Sequence, residues 1–537
     1  MLANIHKKKC KLLYLEKKKE MEHIRGIDRQ QIYFRCIEEM ISVDNMVRFI
    51  DYFVEQIDLE QLGFKVQIQK GEGRPSYCMK VFMKLYLYGY INGIRSSRKL
   101  ERESIRNVEV QWLLCQLQPN YHSIADFRKV NGIALRQLFK LYVLFLRDEG
   151  LITGKVLAVD GTKSRASNSK KNNYNAKKIA RHLEYIDKMT KAYMEELEQN
   201  DKEEQEEKIV DLQQKIQRLA GAKLKYELLG KQLESSGEPQ VSTTDPDARA
   251  LLVHGQVVEV SYNIEAAVDG EHKLVAGTHT INRNDRNALR DIAVEAKENI
   301  GVRETTVIAD KGYHNARQLR DCAEVGITTI VAQQEIVNSN EGGTTPSYMV
   351  TKFQYHKDSD TYTCPQGEIL TTKGTWHTKS RDYTPYRFKK YRTAKCKDCL
   401  VKHLCTGRQK GGREIERSEF AEVVEANNKR CIEQKALYRK RQEWNEHIFG
   451  TIKRQWGYNY TNLRGLEKVN GEHSLIMLVY NIKRSIQIMG GVENIIARFK
   501  AWTPKYPPKV KNSTNESKIA FKIIHIKALW LTKKLAA

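Results

Sequence analysis

Two short apolar runs, far apart in the chain, each end in an aspartate followed closely by a glycine. Val156, Leu157, Ala158 and Val159 precede Asp160 in KVLAVDGTKSRA, and Val307, Ile308 and Ala309 precede Asp310 in TTVIADKGYHN. Runs this short, rich in β-branched or small residues and closed by Gly161 and Gly312, read as buried strands. A sheet that buries both holds two carboxylates at strand ends, where a cleft opens. A third acid, Glu446, follows in EWNEHIFGTIKRQWGY. Such a trio suits two-metal phosphoryl transfer, in which two divalent cations about 3.5–4 Å apart neutralise the attacking and leaving oxygens of a phosphodiester.

The charge balance agrees with a polyanionic partner. The 537 residues carry a formal net charge of +25, which favours phosphate contact and fast encounter with nucleic acid, though an anionic membrane surface would draw it too. The length is enough for about three or four domains. The longest apolar stretches, FKLYVLFL and LIMLVYNI, fall short of the roughly 18 residues of a spanning helix. The lysine-rich start is not followed by an apolar signal core. The expectation is a cytoplasmic protein, associated with the nucleoid and not with membrane.

Composition divides the chain. Residues 27–150 read as helical, with a turn at GEGRP and a helix capped at Ser123; Arg128 and Lys129 lie beyond that cap and are candidate DNA contacts. A packing or dimerisation module of short basic helices is the equal alternative. Residues 151–175 open a catalytic domain that resumes at 240–334 and 416–490. Between the first two pieces, residues 176–239 carry apolar stripes at helical steps (Ile179, Leu183, Ile186; then Leu212, Ile216, Leu219) around the acidic break NDKEEQEEK, predicting an antiparallel helical hairpin, either an arm or an inert spacer. EVSYNIEAAVDG and HKLVAGTHTI predict an antiparallel pair turning at Asp269 and Gly270. Helix, strand, helix and strand follow in DRNALRDIAVEAKENIG, TTVIADKGY, NARQLRDCAEVG and ITTIVA, giving a mixed α/β sheet. Residues 491–537 form a basic tail, read as frayed.

Cysteines cluster in region 335–415. Cys364 opens CPQGEIL, Cys396 and Cys399 form a CxxC, and Cys405 follows. Four thiolates at such spacing suit a structural zinc ion in a ribbon-like insertion; the alternative is that Cys364 is unrelated and the others are free thiols. The third acid sits on a long polar helix running from SEFAEVV to KRQWG. Arg439, Glu446 and Lys453 recur every seven residues along it, while Trp444, Ile448 and Ile452 face inward. An ordinary charged helix would look the same.

The motifs VDGTKSRA, STTDPDAR, SYNIEAAVD, ADKGYHN, the CPxG with CxxC, NEHIFGTIKR and LRGLEKV, in this order over residues 27–490, resemble the Asp-Asp-Glu (DDE) transposases of bacterial insertion sequences, in particular the group named after insertion sequence eleven-eighty-two. The resemblance implies a ribonuclease H-like fold with Asp160, Asp310 and Glu446 as the catalytic, metal-holding acids. It implies two Mg²⁺ ions, with Mn²⁺ as a substitute. Lys453 would position a backbone phosphate, with Lys311 and Arg439 as further DNA contacts. The expected partners are double-stranded DNA, both the element's terminal inverted repeats and the target, and further copies of the chain, as a homodimer or larger assembly. His279, His314 and Asp285 read as structural neighbours of the site. Related transposases carry a tyrosine, arginine, glutamate and lysine signature. Here four residues, not three, separate Arg441 from Glu446, so Tyr438 and Arg441 stand one residue out of register. A nuclease without strand transfer and a non-catalytic DNA-binding derivative are the competing functions.

Overall fold

The structure, a computed structural model, describes residues 30, 32, 34–65, 76–202, 206–253, 257–333, 344–381, 384–504 and 506. The GEGRP turn, the lysine-rich start and the basic tail after Tyr506 lie outside them. The chain divides into two compact units, Met1–Ser42 and Val43–Ala537. In the first, the described residues include a short 3-10 turn, Ile37–Met40.

The second unit begins with helices α1 (Met46–Gln56), α2 (Met79–Ile91), α3 (Ser97–Arg106), α4 (Val108–Leu113), α5 (Tyr121–Val130) and α6 (Gly132–Asp148). In α1, Val47, Ile50 and Val54 bury one stripe. The start of α5 differs from expectation. Its cap is Asn120, whose side chain accepts the Ser123 N–H at 2.9 Å. Ser123 therefore lies in the first turn as a donor, and the helix begins three residues earlier.

Strand β1 (Val156–Arg165) leads into β2 (Asn173–Tyr174), and the hairpin follows as α7 (Ala176–Lys202) and α8 (Glu206–Ser236), with β3 (Val241–Ser242) pairing back to β2. Ile179, Leu229 and Leu233 pack with Tyr174 and Val241 at its base. Farther out, Lys223 bridges Asp187 at 2.7 Å. The chain then forms β4 (Arg249–Val253), β5 (Val257–Asp269), β6 (Val275–Ile281), α9 (Leu289–Ile300), β7 (Thr305–Ala309), α10 (Ala316–Glu324) and β8 (Ile327–Val331). Gly301, at φ 74°, ends α9 in the left-handed conformation that glycine adopts without strain.

The central sheet runs β4, β5, β1, β7, β8, with β6 also on β5. β1 is antiparallel to β5 and parallel to β7, which is parallel to β8. The expected β5–β6 pair is antiparallel. A second, antiparallel sheet is built from β9 (Gln354–His356), β10 (Thr361–Thr363), β11 (Ile369–Thr372), β12 (His377–Arg381), β13 (Thr384–Arg392) and, after the short α11 (Lys402–Cys405), β14 (Ile415–Ser418). Phe353, Tyr362, Leu370, Tyr391 and Ile415 form its core.

The long helix expected to carry the third acid is broken. α12 (Ala421–Glu433) stops at Gln434, whose backbone leaves the helical region at φ −110° and ψ 37°, and α13 (Lys435–Gly450) starts anew before one π turn, Thr451–Gln455. α14 (Leu466–Ile488) and α15 (Val492–Ala501) follow, so the first part of the tail read as frayed is instead helical, because Val492, Ile495 and Phe499 are buried. These last helices belong to the same core as α1–α6. Phe499 packs its ring against Phe49, Phe53 and Phe145. Where α14 meets α6, a Cβ on Gly471 would come 2.5 Å from the Gly132 backbone. The amino-terminal helices thus share their apolar interior with the carboxy-terminal ones.

Candidate active site

The parallel pairing of β1 and β7 sets Val159 opposite Ala309. The next residues, Asp160 midway along β1 and Asp310 just past the end of β7, therefore lie side by side; only the second stands at a strand end, because β1 runs on beyond Asp160 in its pairing with β5. Asp160 Oδ1 accepts the Gly161 N–H at 2.8 Å. Burial pushes the Asp160 carboxyl up to about 6; the Gly161 N–H and the Arg441 guanidinium pull it down, and the negative charges of Asp310 and Asp285 push it up. Arg441 also reaches the second acid, with Nη2 3.2 Å from Asp310 Oδ1, and lies over the Tyr438 ring at 5.3 Å. The two residues that stood out of register in the sequence therefore sit at the site.

α13 packs across β1, with Trp444, Ile448 and Ile452 buried as their spacing predicted. Trp444 closes on Gly270 so tightly that a Cβ there would fall 2.3 Å from the ring. The π turn alters the phase of the helix beyond Gly450, so Lys453 leaves the stripe expected for it. Arg439 and Glu446 are exposed. Lys453 is half-buried and donates to Thr162 Oγ1 at 3.0 Å and to the Lys163 carbonyl at 2.8 Å. Burial lowers its pKa. Thr162 shares the sheet face of Asp160, two residues along the strand.

Glu446 accepts from Gln442 Nε2 at 3.1 Å, along its own helix. Among the described residues, no group of three or more His, Cys, Asp or Glu is arranged to hold a metal ion. The donor chemistry of the Asp160 and Asp310 pair nevertheless fits a hard divalent cation: two carboxylates side by side, one raised by burial and by its neighbours' charge, are relieved by a cation.

On the other face of β1, Lys163 Nζ holds Asp285 at 2.8 Å. Glu265, in β5, is fully buried and bonded to Tyr313 and Asn263. Burial pushes its carboxyl up to about 8, with the charge of Asp285 adding to the rise. An acid inside the apolar run of NIEAAVD was the signal for this residue in the sequence, and it was passed over. His279 pairs with Glu295 at 3.2 Å. Burial lowers the pKa of His314.

The remaining candidates are dispersed. Lys129 and Lys311 are exposed. Arg128 is not: it is 6% exposed, donates to the Tyr90 hydroxyl at 2.8 Å and the Arg95 carbonyl at 3.1 Å, and lies 4.0 Å from buried Glu472. It is a core cation, which corrects its reading as a DNA contact, because the basic turn of α5 faces inward at that position. Cys364, Cys396, Cys399 and Cys405 are free and line one cavity of about 30 Å³ with Phe353, Leu370 and Val401. They converge as the spacing suggested, but they form no metal-holding group among the described residues, and the zinc expectation is not supported.

Among the described residues no helix is long and apolar enough to cross a membrane. Residues 363–486 match the family described as Transposase DDE domain, and residues 35–130 match a family described as Transposase domain. No curated protein and no solved structure gave a match. DDE transposases act on DNA and typically use a divalent metal ion. These two matches, one covering the amino-terminal helices and one running from the second sheet through α14, support a DDE-type transposase of bacterial insertion sequences.

Proposed function

We propose that this chain cuts the ends of an insertion sequence and joins them to target DNA, using Asp160, Asp310 and Glu446 as one active site on a ribonuclease H-like sheet. One observation carries the reading: Asp160 and Asp310 lie side by side on paired parallel strands, with the helix bearing Glu446 laid across the first. The strand order, antiparallel from β5 to β1 and parallel from β1 to β8, supports the fold assignment. In this reading residues 27–150 bind DNA, 151–175, 240–334 and 416–490 form the catalytic domain, 176–239 an arm, and 335–415 an insertion. The motif order supports the eleven-eighty-two group.

Two Mg²⁺ ions, or Mn²⁺ in their place, held by the three carboxylates would neutralise charge on the attacking and leaving oxygens. The chain's own groups prepare for that. With its carboxyl at about 6, Asp160 is ionised at neutral pH. Arg441 holds Asp310 and offsets the local repulsion. Lys453 ties the third acid's helix to β1 through Thr162 and Lys163. Exposed Lys311 and Arg439 offer charge to a phosphate backbone. Glu446 must turn away from Gln442 to join the pair.

The test incubates the chain and Mg²⁺ with duplex taken from the DNA flanking its gene, ending in a free 3′-hydroxyl, together with target DNA. Joined products are expected, and Asp160→Ala should abolish cutting and joining while DNA binding persists. Nicked products alone would identify a nuclease. DNA binding with no chemistry in the native chain would identify a non-catalytic derivative.

A further inference from the structure

The central sheet buries an acid that the proposed chemistry leaves unused. Glu265 is fully buried in β5, opposite Gly161 in the β1–β5 register. Its carboxyl is bonded to the Tyr313 hydroxyl and to the Asn263 amide. The Asn263 amide also donates to Asp285 Oδ1 at 2.7 Å, and Lys163 Nζ meets the same oxygen at 2.8 Å. The result is a closed polar network beneath the floor of the site.

Its two ends are what matter. One end is Gly161, the residue after the first acid. A Cβ there would come 2.8 Å from Glu265 Oε1, 3.0 Å from Asn263 Oδ1 and 3.0 Å from the Tyr313 hydroxyl, so the network presses directly on the β1 backbone. The other end is Tyr313, whose N–H donates to the Asp310 carbonyl at 2.9 Å and closes the turn that begins at the second acid. The Tyr313 ring is fully buried, so its hydroxyl is fixed to Glu265 from below. A buried acid and its polar partners are a costly way to fill a core that apolar side chains would fill more favourably. What the network adds is a rigid tie between the backbone beside Asp160 and the turn beside Asp310.

We infer that Glu265 and Tyr313 are positioning residues that set the separation of Asp160 and Asp310 for divalent-cation binding. The inference rests on the proposed function and names groups that act through the acids without touching the ion. Partners behind metal ligands typically change affinity by about 10–100-fold when removed. Glutamine at 265 should preserve the tie. Its oxygen can accept from the Asn263 amide in place of Oε1, while its N–H donates to the Tyr313 hydroxyl oxygen.

The experiment measures Mn²⁺ binding to the full chain by electron paramagnetic resonance without DNA, and then the Mn²⁺ dependence of cleavage. Tyr313→Phe, which removes only the hydroxyl, and Glu265→Ala should weaken Mn²⁺ binding by about 10–100-fold. Both should raise the half-saturating Mn²⁺ concentration by the same factor and leave DNA affinity unchanged, with Glu265→Gln restoring native Mn²⁺ binding. If Glu265→Ala does not fold, Tyr313→Phe decides. A native chain that binds Mn²⁺ and cuts DNA, alongside a Tyr313→Phe variant that does both equally well, overturns this inference alone. A native chain that neither binds Mn²⁺ nor cuts overturns the proposed function and this inference with it.

Discussion

Asp160 holds the clearest conflict between stability and chemistry at the scale of a single residue. Its folded-state pKa, about 6, lies above the ordinary aspartate value because the carboxyl is buried beside two other acids. Its stabilising contribution is therefore fully present below about pH 4 and lost as pH rises through about 6. Asp160→Asn removes the charge and keeps the shape. With divalent ions chelated, the variant should match the native chain near pH 4 and exceed it at pH 8 by up to about 3 kcal/mol. Urea unfolding at both values checks this, and equal midpoints at pH 8 would mean that the carboxyl is not strained. The aspartates themselves were legible in the sequence, since a short apolar run ending in an acid and a glycine has few other uses. Arg441 was not, because a shift of one residue on a helix turns a side chain by about 100°, and only the packing of α13 reveals that it still reaches Asp310.

At the scale of elements, the placement of α13 decides whether the third acid can join the other two. Trp444 sits on Gly270, and Lys453 is fastened to β1. Gly270→Ala would set a methyl group inside the indole contact and push the helix off the sheet. We expect a loss of about 1–3 kcal/mol, as for other overpacked sites. Cleavage should fall while DNA binding persists, measured by thermal unfolding and a single-turnover assay. The inward stripe of Trp444, Ile448 and Ile452 could be read from spacing alone. The break at Gln434 and the π turn at 451–455 could not, because no proline stops the helix at either place; packing imposes them, with α12 lying on β8 and α10 and α13 crossing β1 and β7.

Across the whole molecule, the amino-terminal helices and α14 are joined by buried charge. Glu472, fully buried on α14, lies 3.7 Å from Arg95 and 4.0 Å from Arg128, and accepts the N–H groups of Asn462 and Leu463 at 3.0 and 3.1 Å. Its pKa stays low although burial raises it, because the two guanidinium groups outweigh that cost. Glu472→Gln would leave both cations without a counter-charge and should cost about 3–5 kcal/mol, with α1–α6 and α14 losing hydrogen-exchange protection together. Loss confined to either segment would mean two independent modules. This union was the least legible feature. Helical periodicity in residues 27–150 predicted helices there, with the start of α5 misplaced, but a local pattern carries no trace of a partner segment more than 300 residues away, and so Arg128 read as a surface cation.

The most direct measurement is anomalous diffraction from crystals of the full chain grown with a pre-cut DNA end and Mn²⁺. The expected map has Mn²⁺ between Asp160 and Asp310, with Glu446 turned from Gln442 into the same shell and the DNA 3′-hydroxyl beside it. Ordered DNA with no anomalous peak between Asp160 and Asp310, and Glu446 still on Gln442, would contradict a shared active site of these three acids.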